Sequence, residues 1–219
     1  MFPGIKLVVF DLDGTLVDAF EDITAAANHI RELNSLPPLA ISEVKKYVGH
    51  GARVLVQRVL GIDDDMEIER NHDSLVAFYT NHPSGTSCLY PGTTDVLSHL
   101  RTCGIKTAVC SNKPDQVTQR VLEDLGVRSL LDGAMGETEG VRRKPAADMM
   151  HVLMQKLDVT AAETLMVGDT EVDISFARAA GVRCVGVTYG QYDRKYLAGY
   201  GPDVIIDSLS ELPGLVVSE

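Results

Sequence analysis

Three apolar runs in this chain each stop at a polar cluster, and this constrains the fold more than any other feature. Ile5-Lys6-Leu7-Val8-Val9-Phe10 ends at Asp11-Leu12-Asp13-Gly14-Thr15, residues 105–110 end at Ser111-Asn112-Lys113, and residues 164–167 end at Gly168-Asp169-Thr170. Short β-branched and apolar runs that halt at turn-forming residues read as buried strands. Helical apolar spacing occupies residues 114–125, 146–157 and 171–180, and further strands are expected at 182–187 and 204–206. Strands alternating with helices of about three turns predict βαβ units and a Rossmann-like parallel α/β sheet. Ligands of such sheets bind outside the carboxyl ends of the strands, so the three polar clusters are expected to meet at one edge.

Residues 18–81 break this rhythm. Apolar residues recur at helical spacing at Ile23, Ala26, Ala27 and Ile30, then at Val44, Val48, Val54, Leu55 and Val59, and a third helical stretch covers residues 66–80. Breaks fall at Leu36-Pro37-Pro38 and Gly61-Ile62-Asp63-Asp64-Asp65. No strand is expected there. The sequence therefore predicts an α/β core of residues 1–17 and 83–219 and a small all-helical domain, residues 18–82, inserted after the first strand. Tyr90-Pro91-Gly92 opens the next core helix, which runs to Cys103.

Composition narrows the partners. Apolar residues are 45% and charged residues 23% of the 219, ordinary for a globular protein and unlike a disordered or low-complexity chain. The 31 Asp and Glu outnumber the 20 Lys and Arg, a formal net charge of -11. Binding to a phosphate backbone needs a basic stripe, and only short basic groups such as Lys45-Lys46 and Arg142-Arg143-Lys144 occur, so nucleic acid is not expected as a partner. No apolar run approaches the ~18 residues of a membrane helix, and Met1-Phe2-Pro3-Gly4-Ile5-Lys6 does not read as a signal peptide. Cys88, Cys103, Cys110 and Cys184 show no metal-binding or redox spacing and are expected to be buried, reduced thiols of a cytoplasmic protein.

The polar clusters carry chemistry. Asp11 and Asp13, two apart at a strand end, start on the same face. They can bind a hard cation or divide the work of nucleophile and general acid. The same residues also suit a plain turn. Asp169 and Asp173 lie one helical turn apart, as metal ligands or as an acidic helix start. Ser111 can donate to a phosphate oxygen. Asn112 and Lys113 can add amides at the start of the helix after Pro114, or the group can simply cap that helix. Lys144, before Pro145, can neutralise a phosphoryl group among carboxylates or sit on the surface in its basic trio. Gly49-His50-Gly51 lacks the third glycine and the preceding strand of a dinucleotide site. His50 and Arg53 are the candidates for substrate contact from the insert. The other five histidines show no ligand spacing, and Tyr189-Gly190-Gln191-Tyr192 reads as a loop without an assigned role.

In order along the chain, Asp11-Leu12-Asp13-Gly14-Thr15-Leu16-Val17-Asp18, Ser111-Asn112-Lys113, Lys144-Pro145 and Gly168-Asp169-Thr170-Glu171-Val172-Asp173 resemble the four motifs of the haloacid dehalogenase-like hydrolases. The helical insert, with Val48-Gly49-His50-Gly51-Ala52-Arg53, and the returning Leu89-Tyr90-Pro91-Gly92 resemble the phosphoglycolate phosphatase-like branch of that family. Asp18-Ala19 and Ala146-Ala147-Asp148 depart from that branch's usual continuation. The resemblance implies a Mg²⁺-dependent phosphatase of a small phosphorylated metabolite, with 2-phosphoglycolate the leading candidate. Asp11 would be the nucleophile forming an aspartyl-phosphate and Asp13 the general acid and base. Mg²⁺ would be held by Asp11, the Asp13 carbonyl and Asp169, supported by Asp173. Gly14, Thr15, Ser111, Asn112 and Lys144 would hold the phosphate, under a cap that closes over the site. A phosphosugar mutase on the same scaffold and a non-catalytic binding module are the alternatives. The chain is expected to be a monomer or a homodimer.

Overall fold

The computed structural model describes residues 1–82 and 85–216. Its centre is β1 (Leu7–Phe10), whose four side chains are all buried. Because successive side chains of a strand point to opposite faces, Val8 and Phe10 enter one apolar cluster while Leu7 and Val9 enter the other. A strand buried on both faces can afford no polar residue until it leaves the sheet, and Asp11 is where this one leaves.

The chain then forms β2 (Val17–Asp18) and the helices α1 (Phe20–Leu33), α2 (Ile41–Val44), α3 (Ala52–Leu60) and α4 (Asp65–Asn81), and returns through β3 (Cys88–Leu89). The core continues as α5 (Thr93–Thr102), β4 (Lys106–Pro114), α6 (Asp115–Asp124), β5 (Gly133–Glu137), α7 (Asp148–Leu157), β6 (Thr164–Gly168), α8 (Glu171–Ala180), β7 (Arg183–Val187), α9 (Arg194–Ala198), β8 (Val204–Ile206) and α10 (Pro213–Val216). The main sheet is parallel, in the order β5-β4-β1-β6-β7-β8. The chain passes from β1 to β4 on one side and later returns to β6 on the other. β1 is thus the point where the winding reverses, and a crevice opens there at the strand ends. Val9 pairs with Ala108 of β4 and with Met166 of β6. That register brings the ends of these three strands, and so Asp11, Ser111 and Asp169, to the same level.

The insert is helical as expected. α1 buries Phe20, Ile23, Ala26, Ala27 and Ile30 at three- and four-residue spacing, and α3 and α4 pack on it. α3 stops at Gly61, whose left-handed conformation (φ 67°) satisfies the helix end at no steric cost. Pro83, where the core was expected to resume, lies outside the described residues.

Several elements depart from the sequence reading. β5 was not expected: Gly-Ala-Met-Gly-Glu contains no β-branched residue, and it becomes a strand because β4 offers it an edge. β2 and β3, two residues each, form an antiparallel ribbon across the two connections of the insert. β4 runs on through Ser111, Asn112 and Lys113 to pair Pro114 with Glu137 beyond a register shift. Those residues belong to a strand end and not to a helix cap. All four cysteines are free, but Cys88 and Cys103 are exposed and only Cys110 and Cys184 are buried. Among the described residues no helix is long and apolar enough to cross a membrane.

Candidate active site

The turn after β1 builds one wall of the crevice. The Leu12 carbonyl accepts hydrogen bonds from the amides of Leu16 and Val17, and the Asp11 amide still donates to the Val167 carbonyl at 2.9 Å. Gly14 sits at φ 88°, and a Cβ there would collide with the Asp169 carboxylate. The turn can pass this close to β6 only with glycine at that position.

Lys144 lies at the centre. Its Nζ donates to Asp11 Oδ1 and to Asp173 Oδ1, both at 2.7 Å, with all three side chains buried. The Lys144-Pro145 peptide is cis. One carboxylate oxygen from each of Asp11, Asp169 and Asp173 lies within 4.8 Å of the others. Burial above all, and then the Asp173 and Asp13 charges, outweigh Lys144 and push the Asp11 carboxyl up to about 7. Burial, with Asp11 and Asp173 beside it, holds Asp169 well above the usual carboxylate range. Burial opposes the Lys144 ammonium, but Asp11 and Asp173 outweigh it and keep the group protonated beyond its ordinary range. One ammonium therefore leaves three packed carboxylates short of positive charge. An all-oxygen donor set with unbalanced negative charge fits a hard divalent cation such as Mg²⁺.

The neighbours hold these acids in place. Asp173 Oδ2 accepts from the Thr170 amide at 3.1 Å and its hydroxyl at 2.7 Å, closing the first turn of α8. Asp169 Oδ1 accepts from the Thr15 hydroxyl at 3.1 Å and Oδ2 from the Gln191 amide at 2.7 Å. Among the described residues a second close group, Glu69, His72 and Asp73, occurs on α4, but Glu69 there is paired with Arg53 on a half-exposed surface.

Asp13 stands outside the cluster of Asp11, Asp169 and Asp173. Its two carboxylate oxygens accept from Lys113 Nζ at 3.1 and 3.0 Å, with both side chains nearly buried. A cavity of about 60 Å³ lies beside it, lined from the core by Asp11, Asp13, Ser111, Asn112, Lys113 and Lys144 and roofed by residues of α1, α3 and α4. Three contacts seat the insert over the strand ends: Lys45 Nζ to the Gly190 carbonyl at 2.9 Å, Asn112 Nδ2 to the Gly49 carbonyl at 2.9 Å, and His50 Nε2 to Glu171 at 3.5 Å.

The sequence candidates thus divide. Asp11, Asp13, Ser111, Asn112 and Lys144 line the cavity, and Asp169 and Asp173 stand behind Asp11. Gly14 and Thr15 do not line it. The Gly14 amide bonds to Val17 and the Thr15 amide to Leu12, and the Thr15 hydroxyl is committed to Asp169. The Asn112 side-chain nitrogen is taken by the Gly49 and Lys144 carbonyls, both at 2.9 Å, so of its donors only the backbone amide, the group read from the sequence, could serve a phosphate. Arg53 turns outward to Glu69 and Asp65, and His50 turns to Glu171; neither lines the cavity.

Sequence reasoning missed the Lys113 side chain. Once β4 is extended through Pro114, the period of two puts Ser111 and Lys113 on one face, and that was the available signal. It also missed Gln191 and Gly190. A Cβ at Gly190 would collide with the Asp169 carboxylate and the Gly14 carbonyl, and no local pattern announces that approach.

Comparison with known proteins agrees with this architecture. A family model described as haloacid dehalogenase-like hydrolase matches residues 8–187. Phosphoglycolate phosphatase of Pseudomonas putida is 35% identical, over 98% of this chain and 82% of its own. The enzyme of the same name from Vibrio parahaemolyticus is 34% identical, over 95% and 94%. A crystal structure described as a predicted phosphoglycolate phosphatase from Haemophilus somnus superposes with a TM-score of 0.90 at 29% identity, covering 97% of this chain and 98% of that one. On the strength of the family match and of these relatives, the chain belongs to the haloacid dehalogenase-like hydrolases.

Proposed function

We propose that this protein is a Mg²⁺-dependent phosphatase that hydrolyses a small phosphate monoester through a phosphorylated Asp11. Residues 18–82 would act as its cap, and residues 1–17 and 83–219 as its catalytic core. The observation that carries the reading is the pairing of opposite environments on one turn: Asp11 faces Asp169, Asp173 and Lys144, while Asp13 faces Lys113 and the cavity. The names of the relatives make 2-phosphoglycolate the leading substrate.

In this mechanism an Asp11 carboxylate oxygen attacks phosphorus while the bond from phosphorus to the ester oxygen breaks. Asp13 gives its proton to the departing alkoxide, so an alcohol leaves and an aspartyl-phosphate remains. The Asp13 carboxylate then takes a proton from water, whose oxygen attacks phosphorus and frees Asp11 and inorganic phosphate. Lys144 keeps Asp11 oriented and its charge balanced. Ser111 donates to a phosphoryl oxygen. Asp11, Asp169 and the Asp13 carbonyl would hold Mg²⁺, with Asp173 fixing Lys144 and the first turn of α8. The cation would offset the charge of phosphate in this acidic pocket and align it for attack. The apolar roof keeps bulk water from the site during the first step.

Phosphate release from a panel of phosphate monoesters tests this reading. Turnover is expected with Mg²⁺, is lost with EDTA, and is abolished by Asp11→Asn. No release from any ester of the panel contradicts it. Rapid phosphoryl exchange between hexose phosphates without release of phosphate would assign the chain to a mutase instead.

A further inference from the structure

The side chains that the insert supplies to the cavity wall are apolar except at one position. Ile23, Val48, Leu55, Leu75 and Val76 line it, and Tyr79 of α4 is the one side chain from the insert that lines it and carries a hydrogen-bonding group, among the described residues. Tyr79 is 5% exposed, and its hydroxyl is sealed from solvent without a hydrogen-bond partner. Such a group bears its full desolvation cost until something accepts from it. Burial first, and then the Asp13 and Asp22 charges, push the Tyr79 phenol well above its ordinary range, so it stays protonated and can only gain by donating.

Lys113 fixes what kind of acceptor suits this place. Its Nζ stands over the Tyr79 ring, 4.4 Å from the centroid, while it bonds to both oxygens of Asp13. Tyr79 is therefore packed against the lysine that orients the proposed proton donor, on the side where the alcohol departs. Each ammonium lining the cavity spends two bonds on carboxylates, Lys144 on Asp11 and Asp173 and Lys113 on Asp13, and each keeps a third N–H; Lys113 is the one that stands over Tyr79. Beside the Lys113 ammonium, the Tyr79 phenol is the one side-chain donor among the apolar side chains that the insert brings to the chamber, among the described residues. A carboxylate on a short carbon skeleton matches that pair in charge and in hydrogen bonding. A polyol would leave most of its hydroxyls unpaired against Leu55, Leu75 and Val76, and a plain alkyl group would leave the phenol unpaired.

We propose that the Tyr79 hydroxyl is a specificity-determining group that donates a hydrogen bond to a carboxylate on the leaving group, beside the Lys113 ammonium. The inference rests on the phosphatase reading above and adds a residue of the insert that neither the motifs nor His50 and Arg53 supply.

The test compares 2-phosphoglycolate with ethyl phosphate, which has the same two-carbon skeleton and no carboxylate, in wild type and Tyr79→Phe. The variant keeps the ring under Lys113 and removes only an unpartnered hydroxyl, so the fold has nothing to lose. Wild type is expected to prefer 2-phosphoglycolate in kcat/KM. In the variant the ratio of the two kcat/KM values falls about tenfold, carried by KM for 2-phosphoglycolate. An unchanged ratio, or a wild type that hydrolyses both esters equally well, overturns the proposal and leaves the phosphatase reading standing. If neither ester releases phosphate with Mg²⁺ while other esters do, the proposal falls alone. If no ester does, the phosphatase reading falls and takes the proposal with it.

Discussion

Lys113 Nζ donates to both carboxylate oxygens of Asp13, at 3.1 and 3.0 Å, across a separation of 100 residues. The contact ties the end of β4 to the turn after β1 and sets the direction of the proposed acid before substrate arrives. Lys113→Met removes the tie and keeps the aliphatic stem. We expect kcat on p-nitrophenyl phosphate, whose good leaving group needs no proton, to fall between about tenfold and a hundredfold, because a misplaced Asp13 activates water poorly for hydrolysis of the intermediate. Steady-state kinetics read this directly, and an unchanged kcat removes Lys113 from the mechanism.

Lys144 is the sole ammonium bonded to Asp11 and Asp173 among the described residues. Taking away one partner of a buried ion pair leaves uncompensated charge, at a cost of about 3–5 kcal/mol. Lys144→Met is therefore expected to lower the unfolding free energy in urea by roughly that amount. Adding Asp11→Asn to the same chain should return part of it, because it removes one of the stranded charges. A double variant as unstable as the single one contradicts the charge account.

Gly190 leaves no room for a side chain against Asp169 and Gly14. Gly190→Ala must displace the Asp169 carboxylate or break its bond from the Gln191 amide. Residues that orient metal ligands are worth about 10–100-fold in metal affinity. The Mg²⁺ concentration giving half-maximal activity is expected to rise by about tenfold or more. Gly214→Ala, where an added Cβ meets nothing within 4 Å, is the control.

Asp22 of α1 clamps the segment returning from the insert. It accepts from the amide and hydroxyl of Thr86 at 3.0 and 2.8 Å and from those of Ser87 at 2.9 and 2.5 Å. Burial opposes the charge, but these bonds outweigh it and hold the Asp22 carboxyl below its usual value of 3.8. A carboxyl whose pKa is lower in the folded than in the unfolded chain stabilises fully above the unfolded value. It loses that contribution as pH falls through the folded one. Asp22→Asn is expected to cost about 1–3 kcal/mol at neutral pH, and the gap from wild type should close as pH falls below 3.8. Urea unfolding across pH measures it; a gap that is constant with pH contradicts the clamp.

The core strands were legible in the sequence because β1, β4 and β6 are largely buried on both faces and so read as short apolar runs, interrupted in β4 by Lys106 and Thr107. The helical insert was legible through its period. The convergence of Asp11, Ser111 and Asp169 followed from the rule for parallel sheets. Other features answer to partners distant in the chain. β5, with two glycines and no branched residue, is a strand only because β4 has an open edge. Arg53 looks like a substrate contact until Glu69 on the next helix is seen to take it. Lys113 was read for its backbone because the strand was ended too early. Tyr79 carries no motif at all and matters through what surrounds it.

The central claim is that Asp11 takes the phosphoryl group, and Asp13→Ala tests it most directly. Without the Asp13 carboxylate, water is not activated and hydrolysis of the intermediate slows more than its formation from an ester with a good leaving group. Mixing this variant with p-nitrophenyl phosphate and Mg²⁺, quenching in acid and mapping the peptides by mass should find one phosphoryl group on the peptide that carries Asp11. It should be absent when Asp11→Asn is added. Release of nitrophenol and phosphate by the variant with no phosphoryl group on that peptide, or with the group on another residue, would contradict the account.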